Sequence, residues 1–384
     1  MASPCKIKRG FSQSSDPAVA VREFAEQIAQ PEIGLIIFFC STCYDLEILA
    51  PRLRECFAGL HVIGCTTAGE ISPTGYTTGS LTGVSIAASD CCAVSTLIPN
   101  LSEFQISLGC AATESLITSL ADKGQVLDPA NTFALLLIDG LSGNEEAVLA
   151  SIHRRMDAIP LLGGSAGDDM HLSKSLVYHD GRFHRDAALL TLIKIKAPFR
   201  IFKCQHFVGS GQRMVVTRAD PWKRTVFEIN AESASIEYAR LLGLEPEALT
   251  TSVFAEFPVM VKVGGEFYVR SIQKANTDGS LTFFCAIDEG VVLTLARSED
   301  ILTNLEAFFE RVRATMGRPQ LVLGFDCIFR SLEFEQRQIK SAASRILAAN
   351  NVIGFNTYGE QYGSMHVNQT LTAAVIGAED EPND

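Results

Sequence analysis

The nine residues Val62-Ile63-Gly64-Cys65-Thr66-Thr67-Ala68-Gly69-Glu70 return near the C-terminus as Val352-Ile353-Gly354-Phe355-Asn356-Thr357-Tyr358-Gly359-Glu360, and six of the nine positions agree without a gap. A looser copy lies between them, Leu161-Leu162-Gly163-Gly164-Ser165-Ala166-Gly167-Asp168-Asp169. Each copy follows a continuous apolar run (35–40, 133–138 and 321–325) and a helix-like stretch. Short unbroken apolar runs followed by helical periodicity read as strands buried on both faces with crossover helices. The chain therefore repeats a strand-helix-strand unit ending in a polar turn, where glycine supplies positive φ or close backbone approach. Copies ending on Glu70, Asp169 and Glu360 suggest a shared functional edge, although a plain exit turn explains any one of them.

At 384 residues and 47% hydrophobic content, the chain can bury the cores of two or three domains. Its 32 basic and 44 acidic residues give a net charge of −12, and no basic cluster stands against that sign. Nucleic acid and anionic membrane are therefore not expected partners. No signal-type apolar run follows the basic first residues, and none approaches the roughly 18 residues of a membrane span, so the chain reads as cytoplasmic. In that compartment the eleven cysteines read mostly as small buried hydrophobes.

Asp16 and Pro17 predict a capped helix to about residue 30, with Val21, Phe24, Ala25 and Ile28 on one face. Residues 81–88 and 93–99 read as adjacent antiparallel strands, and 174–179 with 186–196 as a hairpin turning at Asp180-Gly181. A second hairpin is expected from 200–208 and 213–218 around Gly209-Ser210-Gly211, followed by a β-rich block from Val259 to Ala296. One long helix is expected over 332–349 and a last strand over 370–376. Hairpins interleaved with crossover helices predict an α/β fold of two domains, 1–221 and 222–384, with mixed sheets. The acidic tail 379–384 reads as disordered.

Cys40-Ser41-Thr42-Cys43 is a C-x-x-C at a strand-to-helix junction. It lacks the neighbours of a thioredoxin-type site and a second pair for zinc, so structural cysteines are the plainer reading. No G-x-S-x-G, H-E-x-x-H or Walker-type loop occurs, which argues against an enzyme of those classes. On a strand over 200–208, alternation sets His206 among Phe202, Cys204 and Val208. That is the setting of a hydrogen-bonded core histidine, and also what an axial haem ligand requires. His366, Asn368, Thr370 and Thr372 form a polar stripe that suits a ligand pocket or a solvated edge strand. His184 reads as exposed. Arg270 and Arg330 each suit a carboxylate clamp, whether for a small acid or a haem propionate, or a salt bridge.

Val62 to Glu70, with Gly83 to Ala88, resembles the N-terminal FIST sensory domain. Gly354-Phe355-Asn356-Thr357-Tyr358-Gly359-Glu360, with His366-Val367-Asn368-Gln369-Thr370, resembles the FIST C-terminal domain. Gln205-His206-Phe207, Val215 to Ile229, Arg270-Ser271-Ile272-Gln273 and Asp278 to Gly290 are similar to the NosP-type subset. The resemblance implies a sensor without enzymatic activity that binds haem b and nitric oxide and regulates a histidine kinase or cyclic-di-GMP enzyme. His206 is then the expected iron ligand, with His184 and His366 as alternatives, and Arg270 and Arg330 face the cofactor. The haem-free alternative is an amino-acid-binding module using Thr357, Glu360, His366, Asn368 and Arg330. Glu70 and Glu360 are expected to fix loops at equivalent places, and a homodimer is left open.

Overall fold

In the computed structural model residues 5–169 and 171–378 are described, so the acidic tail lies outside them. Two compact units divide the chain. The first takes the residues up to Cys204, Leu305–Met365 and the segment from Leu371 on; the second takes Gln205–Asn304 and His366–Thr370.

The first unit runs one topology three times. Its first pass comprises β1 (Ile7–Ser12), α1 (Pro17–Ile28), β2 (Ile33–Ser41), α2 (Leu46–Cys56), β3 (Val62–Thr67), the hairpin β4 (Glu70–Ser72) and β5 (Gly75–Thr77), and β6 (Leu81–Ala87). The Asp16 side chain caps α1 by accepting from the N–H groups of Ala18 at 2.8 Å and Val19 at 3.1 Å, while Ala20, Val21, Phe24 and Ile28 fill its buried stripe. The second pass comprises β7 (Cys91–Pro99), α3 (Ile106–Asp122), β8 (Thr132–Asp139), α4 (Glu145–Met156), β9 (Leu161–Ala166), the hairpin β10 (Val177–His179) and β11 (Arg182–His184), and β12 (Ala187–Ile195).

The third pass opens with β13 (Phe199–Cys204) and is interrupted by the second unit. That unit holds β14 (Phe207–Asp220), β15 (Thr225–Ile229), β16 (Glu232–Ser233), α5 (Ala234–Leu242), α6 (Thr251–Glu256), β17 (Val259–Val263), β18 (Glu266–Arg270), β19 (Ile272–Ala275), β20 (Leu281–Phe283) and β21 (Val292–Ser298). The third pass resumes with α7 (Ile301–Met316), β22 (Pro319–Cys327), α8 (Ile328–Gln336), α9 (Lys340–Ala349), β23 (Val352–Thr357), β24 (Glu360–Tyr362), β25 (Met365–Val367) and β26 (Leu371–Ala378).

Each pass builds four strands of one sheet and gives its hairpin to another. The order β1-β6-β2-β3 continues into β10-β11 of the second pass, β7-β12-β8-β9 into β24 of the third, and β13-β26-β22-β23 into β4-β5 of the first. The exchange closes in a cycle, so no pass completes its own sheet. One core collects the inward faces of all three, including Ile37, Phe39 and Ile63, Leu135, Leu137 and Leu162, and Leu323, Phe325 and Phe355. Phe39 meets Phe355 with ring centroids 4.8 Å apart.

The repeated glycine lies inside a strand rather than in the exit turn. In the parallel pairs Gly64 faces Phe38, Gly163 faces Leu136 and Gly354 faces Gly324. A Cβ there would sit 2.5 Å from the Phe38 carbonyl oxygen, 1.8 Å from that of Leu136 and 1.7 Å from that of Gly324. Close strand approach selects glycine three times over. The turn itself needs it at Gly69, where φ is 122°.

Several sequence expectations are corrected by this topology. β6 and β7 lie in different sheets rather than pairing, and the hairpin at Asp180-Gly181 is β10–β11, with β12 paired to β7 and β8 instead. Residues 207–220 form one bulged strand paired to β21, with the register shift between Gly209 and Arg213, not a hairpin. The expected long helix over 332–349 is two, α8 and α9. The second unit folds as one sheet in the order β18-β17-β21-β14-β15-β20-β19, with β16 on β15. Its own core includes Met214, Val226, Tyr238, Phe254, Leu281 and Leu293.

Candidate functional site

The second unit contains a cavity of about 670 Å³ whose lining includes Arg213, Lys262, Arg270 and Asp288, with Phe267 and Ile287 among its apolar walls. Arg270 ends β18 directly opposite Val259 of β17 and is only 8% exposed. One guanidinium nitrogen, Nη1, donates to the carbonyls of His366 at 2.9 Å and Val269 at 3.3 Å. Among the described residues no carboxylate lies within ion-pairing distance of Arg270, Arg213 or Lys262. A buried guanidinium held by two carbonyls and facing a cavity without a counter-ion is costly unless an anion completes it. Lys262 stands over the Phe267 ring, 5.5 Å from its centroid.

The segment 366–370 holds this arginine in place. Besides the His366 carbonyl, the Asn368 side chain accepts from the Ser271 N–H at 3.3 Å, and Gln369 Nε2 donates to Ser271 Oγ at 3.1 Å. The structure therefore brings together three of the residues singled out from the sequence, Arg270, His366 and Asn368. It does so through backbone and amide bonds that no sequence period announces. The polar stripe itself is not on one strand, since β25 ends at Val367 and β26 starts at Leu371. Nor is it solvated: His366, Asn368, Thr370 and Thr372 are at most 3% exposed.

Other expected site residues lie elsewhere. Arg330 is fully buried in an ion pair, its Nε 2.7 Å from Asp326 Oδ1, with the Tyr76 hydroxyl on the other carboxylate oxygen. Burial pushes the Asp326 carboxyl up, against the pull of Arg330. Arg330 thus anchors the start of α8 through the salt bridge that is the other reading of it from the sequence. Thr357 donates its hydroxyl within the junction of the repeats, near the Ser165 carbonyl at 2.7 Å and the Gly359 carbonyl at 2.8 Å, and Glu360 is buried at the start of β24. Cys40 is fully buried, which pushes its thiol well up with Glu70 adding to the rise, whereas Cys43 is exposed. Burial thus works against Cys40 as the nucleophile of a redox site. Among the described residues no cluster of three or more His, Cys, Asp or Glu has metal-binding geometry, and no helix is long and apolar enough to cross a membrane.

The cations of the cavity suit the carboxylates of a haem, but no imidazole or sulfur ligand lines it. His206 lies in the link between β13 and β14, fully buried and beside the Phe207 ring, and not within a continuous strand over 200–208. His184 Nε2 is 3.1 Å from the His179 carbonyl oxygen. Among the described residues, those lining this cavity offer no axial ligand for a haem iron. Arg213, Lys262 and Asp288 went unnoticed as site residues in the sequence because charged residues at a strand bulge, near a strand end and in a loop look like ordinary surface. Only their convergence marks them.

The FIST N domain model matches residues 34–232 and the FIST C domain model matches 234–363. The chain belongs to the FIST family, whose domains are sensory ligand-binding modules of signalling proteins. It is 22% identical over 391 residues to the uncharacterized protein MJ1623 of Methanocaldococcus jannaschii, across 89% of this chain and 73% of that one. Among solved structures, cyanuric acid hydrolase from A. caulinodans aligns over 98% of this chain and 99% of its own at 10% identity. The TM-score of 0.39 is too low to carry chemistry across.

Proposed function

We propose that this protein is a non-enzymatic sensor that binds a small carboxylate-bearing molecule, in the first instance an amino acid, in the cavity around Arg270. The reading rests on one observation: a nearly buried guanidinium without a counter-ion at the wall of a 670 Å³ cavity. Arg270 takes the ligand carboxylate with the donors its two carbonyl partners leave free, and Asp288 is placed on the same lining to face a cationic or hydroxyl group. Occupancy is passed to a separate signalling protein, a histidine kinase or cyclic-di-GMP enzyme, through the segment 366–370 that holds Arg270. Calorimetry against an amino-acid panel should find a binder, and Arg270→Ala should weaken it by about thirty-fold or more, the equivalent of about 2 kcal/mol for a charge-assisted hydrogen bond. Silence across the panel, or an unchanged Kd in the variant, would sink the reading.

A haem-based nitric oxide sensor is the second reading, favoured by the NosP-like stretches and by the cavity's cations, which suit propionates. Bound haem would supply an iron that takes nitric oxide. This chain's part would be the carboxylate contacts of Arg213, Lys262 and Arg270, and an imidazole would have to be brought from its buried position. Protein produced with ample haem should then show a Soret band that His206→Ala alters; its absence would dismiss this reading.

A further inference from the structure

The three copies of the repeat meet one another. The Ala68 N–H donates to the Asn356 carbonyl at 3.0 Å and the Asn356 N–H to the Gly69 carbonyl at 2.7 Å; the Gly167 N–H reaches the Thr66 carbonyl at 3.1 Å, and the Ser165 N–H the Gly359 carbonyl at 2.9 Å. Glu70 sits at this junction, fully buried at the first residue of the exchanged hairpin β4–β5 and opposite Phe355 of β23. Its Oε2 accepts from the Ser80 N–H at 3.0 Å and the Ser80 hydroxyl at 2.6 Å. Its Oε1 makes a short bond with Thr67 Oγ1, which also lies 3.2 Å from the Cys40 carbonyl oxygen.

A threonine hydroxyl has one proton and cannot donate to both oxygens. Both contacts are hydrogen bonds if Glu70 carries the second proton, donating to Thr67 while Thr67 donates to Cys40. The groups bearing on Glu70 from the packed elements are Asp169 at the end of the second copy, the Cys40 thiol of β2 and the Tyr44 hydroxyl beyond it, none of them a cation. Burial accordingly outweighs the three donors and pushes the carboxyl from 4.5 up to about 7.

We infer that Glu70 is a proton-operated latch at the root of the exchanged hairpin, tying it to Thr67 of β3 and to Ser80 when protonated and loosening it progressively on ionisation. The raised value fixes the sign. An opened hairpin gives up this proton from about 4.5 upward, whereas the closed one keeps it to about 7, so opening becomes easier across that window and levels off above it.

Amide hydrogen exchange on the full chain, corrected for intrinsic rates, should show the opening equilibrium of residues 70–80 rising more than tenfold between pH 5 and pH 7.5. In Glu70→Gln the slope should vanish, because the amide can donate to Thr67 and still accept from Ser80. Asp169→Asn, at a half-exposed position, should move the midpoint of the wild-type transition to lower pH. A pH-independent wild-type segment, an equal slope in Glu70→Gln, or an unmoved midpoint in Asp169→Asn would each overturn the latch.

Discussion

An Arg330→Ala variant is expected to lose about 3–5 kcal/mol of stability, the usual cost of stranding one member of a buried ion pair. Arg330 and Asp326 are each about 1% exposed at side-chain level, and the Nε to Oδ1 distance is 2.7 Å. Removing the guanidinium leaves the Asp326 carboxylate fully buried, with only the Tyr76 hydroxyl as its remaining side-chain partner of those described. Attraction within the pair roughly offsets the cost of desolvating both members, so joint replacement is the informative control. Asp326→Leu with Arg330→Met should recover part of the loss, the orphaned Tyr76 hydroxyl still costing about 1–3 kcal/mol. Denaturant midpoints of the two single variants and the double variant test this. Additive single effects would mean that the side chains act independently.

Gly354→Ala is expected to cost about 3 kcal/mol or more, at or beyond the upper end of ordinary overpacking. The new Cβ would lie 1.7 Å from the Gly324 carbonyl oxygen, 2.7 Å from its carbon and 3.1 Å from its Cα, all backbone of the paired strand. No rotamer relieves such a contact, and separating β22 from β23 breaks their ladder. Gly59→Ala is the natural comparison: its φ is 78° but nothing lies within 4 Å of its Cβ, so only backbone strain of about 1 kcal/mol is at stake. Thermal unfolding should separate the two clearly. Equal losses would show that strand approach is not what selects glycine in the repeat. Gly163→Ala, at 1.8 Å from the Leu136 carbonyl oxygen, should behave like Gly354→Ala.

The strand-helix-strand unit was legible because it depends on local matters. Apolar runs at 35–40, 133–138 and 321–325 and the cap at Asp16 act within a few residues, and they appear as β2, β8, β22 and α1. Pairing across distance was not. The antiparallel assignment of residues 81–88 to 93–99 followed from their closeness in sequence, whereas β6 and β7 bury opposite commitments in different sheets. Arg330 and Arg270 could not be told apart beforehand, since each is an arginine next to apolar strand residues. Asp326 lies four residues before Arg330 and neutralises it at the head of α8, while β18 delivers Arg270 to a cavity wall where, among the described residues, no carboxylate lies within ion-pairing distance.

The sequence by itself determined the family and the threefold unit, because these follow from short-range pattern; it set the repeated glycine in the exit turn, and only the strand pairing places Gly64, Gly163 and Gly354 inside β3, β9 and β23. Only the tertiary structure decided that hairpins pass cyclically from one repeat to the next, since a three-residue strand such as β4 fits the edge of any of three similar sheets until the common core closes around them. That closure also sets the chemistry. It buries Glu70 among Thr67, Ser80 and Asp169, where a carboxyl keeps its proton to about 7. In the second unit the convergence of β17, β18 and β21 leaves Arg270 facing a cavity without a counter-ion, and charge that is ordinary in the chain becomes a site only when desolvated in place.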